Sequence, residues 1–141
     1  MEVGATGMQG WRLEMEDSHI CDEMPTKKDH TMLAVFDGHG GAGAAIWIAQ
    51  KMIPFVESSV EWKQYLSEGK ENPTLIGKAM RNAFLEADIR LRLFQDEGGP
   101  GADTSGCTSV VCIITPKYII CANAGDSRCV IGTNGTVVEM S

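Results

Sequence analysis

Four short segments crowd carboxylates, hydroxyls and basic side chains between apolar stretches: Arg12-Leu13-Glu14-Met15-Glu16-Asp17, Asp37-Gly38-His39-Gly40-Gly41, Ser105-Gly106-Cys107-Thr108 and Gly125-Asp126-Ser127-Arg128. Carboxylates gathered at strand ends repel one another unless a positive charge neutralises them. A divalent cation is the obvious neutraliser. Mg2+ and Mn2+ prefer oxygen ligands, and Mg2+ usually keeps several waters while taking only one or two carboxylates. Acids separated by about twenty residues suit that style better than a calcium loop, whose 12-residue ligand pattern is absent. Each residue also has a plainer reading. Glu16 and Asp17 read alone are ordinary loop acids, since such residues are mostly exposed, and Arg12 pairs with a surface acid. His39 hydrogen-bonds a loop, Asp126 opens a turn, Glu14 faces solvent or a salt bridge, and His19 and His30 are structural.

The elements that must hold these segments follow from hydrophobic spacing. Val3 to Met8 is at best a short strand leading into the polar stretch Gly10 to His19. Met32-Leu33-Ala34-Val35-Phe36 is a continuous apolar run, which predicts a central strand covered on both faces. Its Gly-rich stop puts Asp37 and His39 at the strand exit. From about Ala42 to Val56, Ala45, Ile46, Ala49, Met52, Ile53 and Val56 recur at helical spacing, with Pro54 expected to kink or end that helix. A second helix is predicted from about Pro73 to Gln95, its core stripe being Ile76, Met80, Ala83, Phe84, Ala87, Leu91 and Phe94. Pro73 suits its start, and Gly98-Gly99-Pro100-Gly101 its stop. Thr108 to Thr115, Tyr118 to Ala122, Cys129 to Gly132 and Thr136 to Glu139 are β-rich, the last two joined by an Asn134-Gly135 hairpin turn. Strand, two helices and antiparallel meander together predict helices packed on antiparallel sheets. There is no internal repeat, low-complexity tract or interdomain linker.

The formal net charge of -7 and the lack of a Lys/Arg cluster argue against nucleic acid or an acidic membrane as partner. No apolar run reaches the roughly 18 residues that span a bilayer, and no signal peptide is evident. The Met-Glu start lacks the Met-Gly of a myristoylation site. A soluble cytoplasmic or nuclear protein is therefore expected. In that setting Asn134-Gly135-Thr136 is not read as a glycosylation site. The five cysteines, Cys21, Cys107, Cys112, Cys121 and Cys129, contain no Cys-x-x-Cys pair and are expected to be buried reduced thiols without a disulfide or zinc role.

The four segments, in their order, resemble the motifs of metal-dependent protein serine/threonine phosphatases of type 2C. Met8 to His19 is similar to that family's opening motif, Val35 to Gly41 to its second, Gly101 to Thr108 to its third, and Asn123 to Arg128 to its fourth. The resemblance implies an α+β fold, a layered α-β-β-α sandwich of two antiparallel sheets flanked by helices. Residues 1–141 would form the N-terminal part of a single catalytic domain, incomplete at the C-terminus. It implies hydrolysis of phosphoserine and phosphothreonine in phosphoprotein substrates by a metal-activated water at a centre of two Mg2+ or Mn2+ ions. Asp37 would bridge the ions, Glu16 and the carbonyl of Gly38 would serve one of them, and Asp17 would hold a metal-bound water. Asp126 would contribute to a weaker third position with Thr108 nearby. Arg12 would grip the substrate phosphate with its planar fork of donors, and His39 would be the general acid for the departing oxygen.

Cys107 stands where many relatives carry Ser. The resemblance implies a later half of the domain, with two further metal-binding aspartates, that residues 1–141 do not include. The alternatives are a catalytically incomplete fragment, a chain completed by a second copy or polypeptide, or a non-catalytic phosphatase-like binding module. A cysteine-dependent phosphatase is disfavoured, because six residues separate Cys121 from Arg128 where its signature needs five.

Overall fold

The computed structural model describes residues 2–98 and 102–141. In chain order the elements are β1 (Ser18–Met24), β2 (Lys27–Phe36), β3 (Gly38–His39), α1 (Gly43–Ser58), α2 (Val60–Glu68), α3 (Pro73–Glu97), β4 (Gly106–Cys107), β5 (Ser109–Ile114), β6 (Ile119–Ala124), β7 (Val130–Thr133) and β8 (Thr136–Glu139). β1, β2, β5 and β6 form one antiparallel sheet in the order β1-β2-β5-β6. Two short ribbons, β3–β4 and β7–β8, complete the strand inventory of the described residues. The helices and antiparallel strands expected from the patterning are both present.

The core lies between this sheet and the helices. Met32, Ala34 and Phe36 of β2 and Val111 and Ile113 of β5 point into it, against Met52 and Val56 of α1, Trp62 of α2, and Ile76 and Met80 of α3. Alternate residues of a strand face opposite sides of a sheet, so Leu33 and Val35 lie on the other face, where Val35 is 46% exposed. Within the described residues the second face of β2 is therefore only partly covered. β2 is central in hydrogen bonding, but the helices cover only one side. On the open side Leu33, Val35, Val110 and Cys112 line a groove with residues 128–131 at the start of the β7–β8 ribbon.

Local signals explain most boundaries. Asn72 accepts from the Leu75 N–H, and Pro73 opens α3, whose end is the left-handed Gly98. Gly99 to Gly101, the rest of the expected stop signal, lie outside the described residues. The stripe on α3 is as expected through Ala87, while Phe84, Leu91 and Phe94 are only half-buried. In α1 the buried residues are Ala44, Ala45, Ile48, Met52 and Val56. Ile46, assigned to the core by spacing, is 50% exposed. Pro54 sits inside α1 without ending it. Asn134 and Gly135 take positive φ of 48° and 77°, as the two central residues of a tight hairpin turn must.

Two elements escape the sequence patterning. β1 is masked by its charged residues, although Ile20 and Met24 reach the core. α2 is mostly polar and buries only Trp62 and Tyr65. It is held by a polar cluster. Ser59 caps it by accepting from the Trp62 N–H, the Trp62 indole donates to Thr26 Oγ1 at 2.9 Å, and the Tyr65 hydroxyl lies 2.6 Å from His30 Nε2. His30 is fully buried, its Nδ1 lying 2.9 Å from the Asp29 carboxylate. Val3 to Met8 forms no strand and is exposed. Among the described residues no helix is long and apolar enough to cross a membrane.

Candidate functional site

The exit of β2 is where the first two polar segments meet. Gly38 is buried, and a Cβ there would overlap the Glu16 carbonyl oxygen. Only glycine lets the two backbones lie this close. The Glu16 side chain then reaches the next turn, where its Oε1 accepts from the Gly41 N–H at 2.6 Å. Glu16 is thereby oriented at the mouth of the Asp37-Gly38 loop and is half-buried, while the Asp37 side chain is exposed.

The third and fourth segments join the same corner through Thr108. Its N–H donates to the Asp37 carbonyl at 2.9 Å, and its hydroxyl accepts from the Asp37 N–H at 3.2 Å. That hydroxyl also lies 2.6 Å from the Ser127 hydroxyl. Gly125 packs so tightly on Thr108 that a Cβ would stand 2.8 Å from both Thr108 Cβ and Cγ2, and its φ of 109° is one that L side chains rarely adopt. Asp126, between Gly125 and Ser127, is thus carried to the Asp37 corner, and its side chain is exposed. Burial pushes the Cys107 thiol up, and the Asp37 carboxylate adds to the rise despite a hydrogen bond from Ser109. Gly38 pairs with Cys107 across the β3–β4 ribbon, which sets Asp37 beside it.

A third arrangement was not legible in the motifs. Ala42, which precedes α1, has no side chain to cap it. The third segment supplies the cap from sixty residues away in the chain: Asp103 Oδ2 accepts from the Gly43 N–H at 3.1 Å, and Ser105 Oγ accepts from the Ala44 N–H at 2.8 Å. Ser105 in turn donates its hydroxyl and its N–H to Asp103 Oδ1. These bonds, led by the Ser105 hydroxyl, hold the Asp103 carboxyl below its ordinary value. The one sequence signal was negative: a helix start lacking Ser, Thr, Asp or Asn at its cap position needs donors satisfied from elsewhere.

Other site residues remain apart from this corner. Arg12 is exposed, and Gln9 Nε2 donates to the carbonyls of Arg12 and Leu13 at 2.8 and 3.0 Å, forming a local turn. Asp17 is exposed and lines a cleft with Met15, His19 and Leu33. The His39 ring rests against Gly106 and lines a cavity of about 440 Å3 with Trp47, Met52, Phe84 and Asp88. Among the described residues no hydrogen bond or ion pair joins Arg12, Asp17 or His39 to Glu16 or Asp37. Nor do the acids bring three ligand atoms within 4.8 Å of one another; the one such cluster is Cys112, Cys121 and Cys129.

The donor chemistry nevertheless fits a hard cation. The salt bridges of the described residues involve Asp29 and Glu86, and none neutralises Glu16, Asp17, Asp37 or Asp126. Three of these four acids are exposed, with room for water to complete a coordination shell.

The sequence model of the protein phosphatase 2C family matches residues 1–141. The chain belongs to that family. A probable protein phosphatase 1N of Homo sapiens is 37% identical over 140 residues, covering 97% of this chain and 30% of the human protein. A probable protein phosphatase 2C 5 of Paramecium tetraurelia is 38% identical over 148 residues, covering 99% of this chain and 47% of its own length. The chain thus spans about a third to a half of the curated relatives it matches. The fold is similar to that of a serine-threonine phosphatase 2C from Toxoplasma gondii, with a TM-score of 0.74 over 91% of this chain and 44% of that one, at 21% identity. The protein phosphatase 2C family is metal-dependent, and the layered antiparallel architecture of this chain agrees with its solved members.

Proposed function

We propose that residues 1–141 are the first part of one catalytic domain that hydrolyses phosphoserine and phosphothreonine in cytoplasmic or nuclear phosphoproteins, using two Mg2+ or Mn2+ ions. The observation that carries this reading is the junction at the β2 exit. There the Glu16 side chain is fixed by Gly41, and Thr108 ties Asp37 to the loop bearing Asp126. Three acids stand on segments joined at one corner, and none of them makes a salt bridge among the described residues.

Asp37, Glu16 and the Gly38 carbonyl would hold the ions, with Asp17 supporting a water ligand and Asp126 serving a further position. Bound there, the ions supply Lewis-acid charge and make water a competent nucleophile near neutral pH. The chain's own residues do the rest. Arg12, on its exposed turn, reaches out to a phosphate whose oxygens match its guanidinium. His39 donates a proton to the leaving serine or threonine oxygen. Thr108 keeps the Asp37 and Asp126 backbones in register by bonding to both segments.

The test is hydrolysis of an aryl phosphate and a phosphothreonine peptide by the full-length protein, with Mn2+ and with a chelator. Metal-dependent turnover that disappears in folded Asp37→Asn is the expected result. Turnover that survives the substitution, or persists in the chelator, refutes the assignment.

A further inference from the structure

Three thiols converge on the open side of the sheet, away from the acidic corner. Cys112 of β5 and Cys121 of β6 are direct partners across the antiparallel ladder. Cys129, just before β7, brings its Sγ to 3.2 Å from that of Cys112. All three sulfurs lie within 4.8 Å of one another. The backbone of Cys129 is pinned on both sides, its N–H donating to Ser141 Oγ and its carbonyl accepting from the Met140 N–H, each at 2.9 Å. The thiols are therefore positioned by the strand ladder and the ribbon rather than by a flexible loop.

We propose that Cys112, Cys121 and Cys129 form a site for one thiophilic divalent cation, Zn2+, distinct from the oxygen-donor corner.

Sulfur chemistry selects the ion. Soft thiolates bind Zn2+ and similar ions and not Mg2+ or Mn2+. With Zn–S bonds of about 2.3 Å, tetrahedral coordination sets the sulfurs about 3.8 Å apart. The Cys112–Cys129 separation of 3.2 Å is shorter than that spacing and the other two do not exceed 4.8 Å, so small side-chain shifts complete the site. A disulfide between Cys112 and Cys129 would use two of the sulfurs, whereas a metal uses all three.

Charge also favours a divalent ion. Three thiols binding Zn2+ release three protons to solvent and leave one net negative charge. The exposed Arg128, next to Cys129 and lining the same groove, offsets the remaining charge. The other groove walls, Leu33, Val35, Val110 and Val130, offer no fourth ligand. The fourth position is left to water or to another donor, the arrangement of zinc sites with three protein ligands.

The site can be read directly with Co2+ and Zn2+ on the full chain kept reduced and anaerobic. Co2+ should give sulfur-to-cobalt charge-transfer absorption that saturates at one ion per chain and is displaced by Zn2+. Loss of a metal-orienting neighbour typically costs about 10–100-fold in affinity, and loss of a ligand should cost at least that. Cys112→Ser, Cys121→Ser and Cys129→Ser should each do so, while Cys21→Ser and Cys107→Ser leave binding intact. If a buried Cys112→Ser chain fails to fold, alkylation of the wild type decides: Zn2+ should shield the half-buried Cys121 and Cys129 from iodoacetamide and leave Cys21 unshielded. The proposal is overturned by absence of the charge-transfer band, by unchanged binding in the three variants, by equal labelling with and without Zn2+, or by a reduced chain that binds no metal and forms a Cys112–Cys129 disulfide on oxidation. None of these readouts depends on phosphatase activity.

Discussion

Replacing Asp103 by alanine removes acceptors from the start of α1 without touching any proposed metal ligand. In the wild type its carboxylate takes the Gly43 N–H at 3.1 Å and the Ser105 N–H at 3.0 Å, and it receives the Ser105 hydroxyl that itself caps Ala44. A lost helix cap costs about 0.5–2 kcal/mol, and hydrogen bonds to a charged group contribute about 1.5–3 kcal/mol each. Asp103 is half-exposed, so water recovers part of this. The expected cost is about 1–3 kcal/mol, or about 3–10 °C in Tm for a chain of this size. Asp103→Asn keeps the shape and one acceptor oxygen and should cost less. The pH dependence gives the sharper test. The Ser105 hydroxyl, then the Ser105 and Gly43 N–H groups, hold the folded carboxyl below its ordinary 3.8 against the opposing effect of burial. A depressed folded value means the folded state binds the proton less readily than the unfolded chain. The contribution is therefore complete above the unfolded value and fades as pH falls through the folded one. Thermal unfolding followed by circular dichroism should show a constant gap between wild type and Asp103→Asn near neutral pH that narrows as pH falls from about 5 to about 2. An alanine variant as stable as the wild type, or a gap that widens in acid, refutes the capping role.

Three further outcomes follow from single contacts. Tyr65→Phe leaves the buried His30 Nε2 without its 2.6 Å partner and should cost about 1–3 kcal/mol in urea unfolding. Gly125→Ala forces a Cβ to 2.8 Å from Thr108 at a φ of 109°, which should destabilise by about 1–3 kcal/mol. In the full-length protein it should also weaken metal-dependent turnover by displacing Asp126. Mg2+ or Mn2+ at saturating concentration should raise the Tm of the full-length protein, and Asp37→Asn should abolish the increase while the metal-free Tm stays near that of the wild type, because the Asp37 side chain is exposed.

The sequence was most informative where local chemistry and long apolar patterns agree. The four motifs, the α3 stripe, the β5–β6 meander and the Asn134-Gly135 turn all depend on residues close in the chain, and the motifs single out Glu16, Asp37 and Asp126 as candidate ligands. β1 and α2 were missed because their few buried residues, Ile20 and Met24 or Trp62 and Tyr65, are set among charges and are held by partners elsewhere. Which face of β2 is covered could not be read from its composition, since an apolar run looks the same whether one side or both are packed. The capping of α1 by Asp103 and Ser105, the bridging role of Thr108, and the meeting of Cys112, Cys121 and Cys129 are products of strand register and helix placement. Hydrogen bonds and sulfur contacts reach only a few ångströms, and folding alone brings residues so far apart in the chain within that range.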